Sequence, residues 1–218
     1  MSTTKASSTV IQAGSNSSAL HLVPLLSNLL HPKSVLDVGG GIGEWLQVWQ
    51  KYGVEDFLDV DGKYISTSQL LIPKSKFLAH DLTRPLKLGR KFDLVMSLEV
   101  AEHLDNKVAE IFVESLTRHA DTIFFSAAIP GQGGTHHVNE QWPSYWAKKF
   151  IIHGYQCFDV IRPLVWNLDI VDFWYRQNSL IFATKAASEQ YGLVASKAPL
   201  NIVHPRLLTK LIKKGHSK

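Results

Sequence analysis

Cysteine is nearly missing from this chain: among 218 residues there is one, Cys157. A lone thiol excludes an internal disulfide framework, and a cysteine-built zinc site with it. Long apolar runs are missing as well. No stretch approaches the roughly 20 apolar residues that a membrane span needs, so no transmembrane segment is expected. Internal repeats are absent. Met1 to Ser18 is rich in Ser, Thr and Ala but has no uninterrupted apolar core of the secretory kind. Residues 1–18 therefore read as a flexible tail, and the protein as soluble and cytoplasmic. The net charge of +4 is small, and much of it sits at the end of the chain, in Lys210, Lys213, Lys214 and Lys218. A basic surface of the kind nucleic acid demands is not spread along the body, so that partner is not expected.

What is present suffices for one domain. Hydrophobic residues make up 45% of the chain, and short apolar runs alternate with longer amphipathic ones, the mark of βαβ units and a parallel sheet. Strands are expected at Ser34–Val38, Asp56–Val60, Lys76–Ala79, Phe92–Ser97, Thr122–Ala128, Tyr155–Ile161 and Ser179–Thr184. Helices are expected at Leu20–Leu30, Ile42–Tyr52, Ser66–Leu71, Asn106–His119 and Pro143–His153, the last with proline in its favoured first turn. The stretch Arg162–Asn178 reads as a long loop, aromatic and polar at once, and loops of that length usually carry function. The domain then spans 19–185, with a basic extension at 186–218. In that extension Leu207, Leu208, Leu211 and Ile212 follow Pro205 at the spacing of a short amphipathic helix, which offers weak contact to a membrane or partner.

The chemistry begins after the first strand, at Asp37-Val38-Gly39-Gly40-Gly41-Ile42-Gly43. Glycines there permit a tight turn and close approach of a ligand to the backbone. The pattern D-x-G-x-G-x-G departs from the dinucleotide pattern in its spacing and in the acid that precedes it. A pyrophosphate would be repelled by Asp37, whereas a ligand with an ammonium group would be oriented by it. Asp61, at the exit of strand two, stands where doubly wound folds place a carboxylate on ribose hydroxyls; Asp59 competes, two residues earlier. Asp81, after strand three, can accept from an adenine amino group, with Leu82 against the ring.

These features resemble the class I S-adenosylmethionine-dependent methyltransferases, over about Ser34 to Thr184. Val35 to Gly43 is similar to that family's first motif, Asp61 to its ribose acid, and Asp81-Leu82 to its adenine pair. Phe92 to Leu104 (FDLVMSLEVAEHL) is similar to its fourth motif, where the exit of strand four lines the cofactor. The resemblance implies a Rossmann-like three-layer α/β sandwich whose seven-stranded, mostly parallel sheet has an antiparallel last strand. It also implies S-adenosyl-L-methionine as donor and S-adenosyl-L-homocysteine as product. The residues it assigns to the cofactor are Asp37, Gly39, Gly41, Gly43, Asp61, Gly62, Asp81, Leu82, Ser97, Leu98 and Glu99.

For the acceptor, the segment Gly131 to Trp146 follows strand five at the carboxyl edge of the sheet, begins with glycines and is then dense in polar and aromatic side chains. Together with Trp174-Tyr175-Arg176-Gln177-Asn178 it resembles a subgroup of small methyltransferases linked to glycan and natural-product tailoring, in which the pattern reads His-Val-Asn-Glu-Gln. The match selects His137 over His136, whose position is commonly glycine in that subgroup. His137 and His103 are thus the candidate bases, and His136, Asn139, Glu140, Trp142 and Tyr145 the candidate acceptor contacts. Trp142, Trp146, Trp166 and Trp174 either fill the core or stack on the acceptor. His136, His137 and Glu140 do not match a recognised zinc spacing, so no metal ligand is assigned, and a divalent ion at these residues stays open as the alternative. The reading is O-methylation of a sugar or other small hydroxyl. N-methylation of an amine or nucleic acid is the alternative, although no Asn-Pro-Pro-Tyr-type motif follows strand four. A non-catalytic cofactor-binding module is the third option.

Overall fold

The computed structural model describes residues 4–195 and 200–215. Its centre is a seven-stranded sheet in the order β3-β2-β1-β4-β5-β7-β6. The strands are β1 (Ser34–Val38), β2 (Asp56–Asp61), β3 (Phe77–Ala79), β4 (Leu94–Leu98), β5 (Thr122–Ser126), β6 (Tyr155–Phe158) and β7 (Leu180–Thr184). Pairs from β3 through β5 are parallel, and β7 runs antiparallel to both β5 and β6. This is the Rossmann-like fold with an antiparallel last strand. β1, β4 and β5 are buried at every position, as strands covered on both faces must be.

Alternation along the strands sorts side chains into two cores. Phe124 and Ile181 join Leu22, Leu26, Trp45 and Trp49 on one face, beneath α1 (Thr4–Leu30) and α2 (Glu44–Lys51). Phe125 and Phe182 join Phe112, Trp146 and Phe150 on the other, beneath α3 (Ala109–Thr117) and α4 (Pro143–Ile152). Trp49 also satisfies its buried indole N–H by donating to Met96 Sδ at 3.1 Å.

Four expectations shift. Helix α1 starts at Thr4 rather than Leu20. Ser18, which the sequence places in a tail, is fully buried and bonds Asp172, donating to its carboxylate at 3.1 Å and accepting from its N–H at 3.0 Å. No helix forms at Ser66–Leu71, where turns and bends run instead; Gly62, Ser66, Ser68 and Pro73 punctuate that stretch. The stretch 162–178 contains α5 (Arg162–Val165) and α6 (Phe173–Asn178). Their anchor is Arg162, buried and bidentate on Asp159 at 2.8 and 2.6 Å, which also donates to the carbonyls of Gln177 and Leu200. Beyond β7, α7 (Lys185–Gln190) and α8 (Pro205–Gly215) make up the extension. α8 buries Leu207, leaves Leu208, Leu211 and Ile212 exposed, and donates from Lys210 to the Gln132 carbonyl at 3.1 Å. Lys218 lies outside the described residues.

Candidate active site

Strand order reverses between β1 and β4, and the crevice outside their carboxyl ends is where sheets of this kind bind ligands. Asp37 and Asp59 face each other across β1 and β2 in register, and Asp61 follows two residues on. All three are buried. Burial first, then the Asp61 charge, pushes the Asp37 carboxyl up to about 8. Burial and the Asp37 and Asp61 charges push Asp59 up to about 9. Among the described residues neither Asp59 oxygen nor Asp37 Oδ2 has a well-formed hydrogen bond, and the backbone N–H groups of Gly40 and Val60 offset the rise at Asp59 only in part. Asp61, by contrast, accepts from the N–H groups of Gly41 and Gly62 and from the Tyr64 hydroxyl, whose ring lies over Gly62.

The turn between β1 and α2 is drawn onto these acids. A Cβ on Gly40 would stand 2.7 Å from Asp59 Oδ1 and 2.8 Å from Asp37 Oδ2, so only glycine fits without displacement. Gly41 has open space around it but a φ of +66°, which other residues adopt at a cost of roughly 1–2 kcal/mol.

Two adjoining chambers open above this floor. One, of about 1040 Å³, is bounded by Gly41, Asp61, Gly62, Asp81, Leu82 and Val100 among others. Its neighbour, of about 450 Å³, is bounded by Asp37, Glu99, Glu102, Gln132, His137 and Trp174 among others. Gly39, Gly41, Glu99, His103 and Thr135 belong to both.

Glu99 marks the junction. It takes a left-handed backbone with φ of 55° just past β4, a costly conformation for a non-glycine residue and one that concentrates at functional positions. Its carboxylate accepts from Gln132 Nε2 at 2.8 Å and Asn178 Nδ2 at 3.1 Å. Gln132 Oε1 in turn accepts from Asn178 and Gln177. Burial raises the Glu99 carboxyl against the lowering effect of those amides.

The far wall comes from the loop after β5. Glu140 accepts from the N–H groups of Gly131 and Gly133, both at 2.7 Å, and from His137 Nδ1 at 3.0 Å. His137 Nε2 faces Glu102 Oε1 at 4.0 Å, and the His103 ring stands edge-on to His137 with centroids 4.9 Å apart. Glu102 is fully buried, and among the described residues neither carboxylate oxygen has a well-formed hydrogen bond.

The sequence model of a methyltransferase domain family matches residues 15–148. This chain belongs to that family. Solved methyltransferases share its fold. The methyltransferase domain of the bacterial protein CtHen1-C is 18% identical, covers 78% of this chain and 98% of its own, and superposes with a TM-score of 0.57. The sugar N-methyltransferase KedS8 from a Streptoalloteichus species is 13% identical, covers 77% and 87%, and has a TM-score of 0.60. At such identities the likeness is one of fold alone. No curated protein matches the sequence significantly.

S-adenosylmethionine is the donor this methyltransferase takes, and the residues present fit it. The unpartnered Asp37 Oδ2 and the Cβ-free surface of Gly40 suit its amino-acid end, and the larger chamber brings Asp61 to the ribose side and Leu82 to the base side. Gly39, Gly41, Gly62, Leu98 and Glu99 line the chambers with them. Asp81 borders the larger one but spends Oδ1 on the Thr83 N–H and hydroxyl at 3.0 and 2.7 Å. Two expected cofactor residues stand behind the walls instead. Ser97 is buried and donates to the Val38 carbonyl at 2.9 Å, tying β4 to β1. Gly43 closes the turn by donating to the Gly40 carbonyl at 3.0 Å.

Among expected acceptor contacts, His103 and His137 reach the chambers and His136 borders the larger one, with φ of 60° where the subgroup carries glycine. Glu140 is the brace of His137. Asn139, Trp142 and Tyr145 border neither chamber. Asn139 is buried, its N–H donating to the Glu102 carbonyl at 3.0 Å, and Tyr145 donates its hydroxyl to Asn106. Sequence reasoning assigned no role to Gln132, Glu102 or Thr135. The three-residue step from Glu99 to Glu102-His103 was the available signal for Glu102, because a short 3-10 turn at Ala101–His103 points it back toward the strand exit.

Proposed function

We propose that this methyltransferase transfers the methyl group of S-adenosylmethionine to a hydroxyl of a sugar or another small polyol. The observation that carries the reading is the His137–Glu140 pair, set beside Glu102 in the chamber that also holds Asp37 and Glu99. Bound S-adenosylmethionine supplies a methyl group on a positively charged sulfur. The chain has to place an oxygen in line with that carbon, activate it and keep water out.

Glu140 supports the second of these tasks. Hydrogen bonds from His137, Gly131 and Gly133 hold its carboxyl below the usual range despite partial burial, so it is ionised near neutrality. An ionised Glu140 takes the N–H of His137 Nδ1 and leaves a lone pair on Nε2, which lies between Gly134 and Glu102 in the chamber wall; this is the tautomer needed to act on an acceptor hydroxyl. Trp174 offers an aromatic face on the same chamber, the surface against which the apolar side of a sugar ring packs. Glu99, held between two amides, fixes the junction where donor and acceptor meet.

The experiment is labelled methyl transfer to a panel of glycosides and to amino sugars in parallel. Transfer to hydroxyls that falls by about 10² or more in His137→Ala is the expected result. Transfer confined to the amino sugars would replace the hydroxyl reading with N-methylation, and full activity in His137→Ala would remove His137 from the role.

A further inference from the structure

We propose that Glu102, His103 and His137 form a binding site for one divalent transition-metal ion, and that this ion holds and activates the oxygen of the acceptor. The inference deepens the hydroxyl reading and rests on it for the nature of the acceptor; with the ion bound, His137 Nε2 is a ligand, and the ion rather than the imidazole activates the hydroxyl.

The first observation is convergence. One ligand atom from each of the three residues lies within 4.8 Å of the other two. Metal bonds of roughly 2.0–2.2 Å set neighbouring donors about 3 Å apart, so closing the triad on an ion takes small side-chain rotations and no backbone rearrangement. His103 is exposed and His137 half-buried, which leaves them room for those rotations.

The second observation is independent of distance. Glu102 has no exposed surface, and neither of its carboxylate oxygens has a well-formed hydrogen bond among the described residues; the backbone N–H groups of Glu102 itself and of Ala128 approach the carboxylate without completing one. Buried polar atoms are nearly always satisfied, and those that are not call for a partner the protein does not itself provide. Glu99, three residues earlier, shows the contrast: both its oxygens are engaged by Gln132 and Asn178. Glu99 is therefore braced, while Glu102 is waiting.

The third is the tautomer of each histidine. His103 Nδ1 stands 3.3 Å from the His136 carbonyl, to which it can only donate, and His137 Nδ1 stands 3.0 Å from the Glu140 carboxylate. With both Nδ1 positions acting as donors, both Nε2 atoms carry lone pairs. Histidine ligands almost always show this outer arrangement, an N–H given to a carboxylate or a backbone carbonyl. Two imidazoles and one carboxylate, with no thiolate, suit a first-row divalent ion that keeps other positions open. The set differs from the His136, His137, Glu140 combination: Glu140 is consumed in bracing, and His136 borders the other chamber.

The open positions face the chamber of about 450 Å³. Two adjacent oxygens of a polyol can occupy them together, which favours acceptors with vicinal hydroxyls over isolated alcohols. The ion lowers the pKa of the bound hydroxyl, whose proton leaves to water at the chamber mouth. The oxygen then forms its bond to the methyl carbon, the carbon–sulfur electron pair goes to sulfur, and the sulfonium becomes the neutral thioether of S-adenosylhomocysteine.

The test is titration of chelator-treated protein with Mn²⁺, followed by electron paramagnetic resonance of the free ion. One equivalent bound per chain is expected, weakened about 100-fold in Glu102→Gln and in His137→Ala. His103→Ala, at an exposed position, supplies a variant whose fold is not at stake, and thermal melts of all three confirm folding. No binding up to millimolar Mn²⁺, or equal binding by wild type and the three folded variants, overturns the site. Methyl transfer to glycosides that persists unchanged in chelator, without stoichiometric Mn²⁺ binding, overturns the metal and leaves the hydroxyl reading standing. Stoichiometric, triad-dependent binding without transfer to any hydroxyl overturns the hydroxyl reading and leaves the metal site.

Discussion

Asp59→Asn is the perturbation that separates the acids beneath the turn from the acids that serve the ligand. Asp59 sits opposite Asp37, fully buried, with no well-formed hydrogen bond to either oxygen among the described residues and its carboxyl pushed up to about 9. The folded chain therefore holds a proton there that the unfolded chain gives up near the ordinary value of 3.8. A folded pKa above the unfolded one means stability that is complete below pH 4 and declines as pH rises toward 9. One such proton is worth a tenfold change in the folding equilibrium per pH unit, or about 4 kcal/mol between pH 5 and pH 8. Asparagine keeps the shape and has no proton to lose. Urea unfolding of wild type and Asp59→Asn at pH 5, 6, 7 and 8 should show the variant gaining on the wild type by about one proton's slope. Asp37, raised to about 8 by burial and Asp61, continues to titrate in the variant, so its own curve still slopes downward. Parallel curves over the whole range would refute the reasoning, since they would mean that Asp59 is ionised in the folded state or not buried there.

Three further outcomes are expected. Gly40→Ala drives a methyl group into Asp37 and Asp59, and overpacking of this kind should cost roughly 1–3 kcal/mol in chemical denaturation and weaken S-adenosylhomocysteine binding in calorimetry. Tyr64→Phe removes the hydroxyl that now occupies Asp61; the ribose no longer has to displace it, and a hydrogen bond of about 1 kcal/mol corresponds to a several-fold gain in cofactor affinity. A loss of affinity there would show that Tyr64 serves the cofactor rather than competing with it. Glu140→Gln withdraws the charge that orients His137, so kcat should fall by roughly 10–100-fold with KM nearly unchanged.

The layered fold was legible because its signals are periodic. Central strands such as SVLDV and TIFFS are short, mostly apolar runs, Trp45, Leu46, Val48 and Trp49 repeat on one helical face, and strand exits are marked by Asp37, Asp61 and Asp81. The stretch 162–178 was not legible, because what orders it is a buried ion pair, Arg162 with Asp159, and the carbonyls that Arg162 gathers from residues 15 and 38 positions away. Charged residues read as exposed until a partner is known. The same limit explains the wall residues. Nothing local in the sequence separates Glu140, which turns inward to brace, from Asn139, which packs behind, and the amide network of Gln132, Gln177 and Asn178 joins segments 45 positions apart. The glycine turn, by comparison, is wholly local.

The β5 loop is braced at Gln132 and at His137 and exposed between them. Gln132 is held by Glu99, Gln177 and Asn178, and His137 by Glu140. Gly133, Gly134, Thr135 and His136 span the gap, exposed, with Thr135 bordering both chambers. Whoever sets out to alter which acceptors this protein takes thus has Thr135 and His136 to vary first, because a Cβ on Gly134 would stand 2.1 Å from His137 Nε2, and Gly133 holds a φ of +67° while its N–H donates to Glu140. Both residues also border the larger chamber, so cofactor affinity has to be followed alongside acceptor choice.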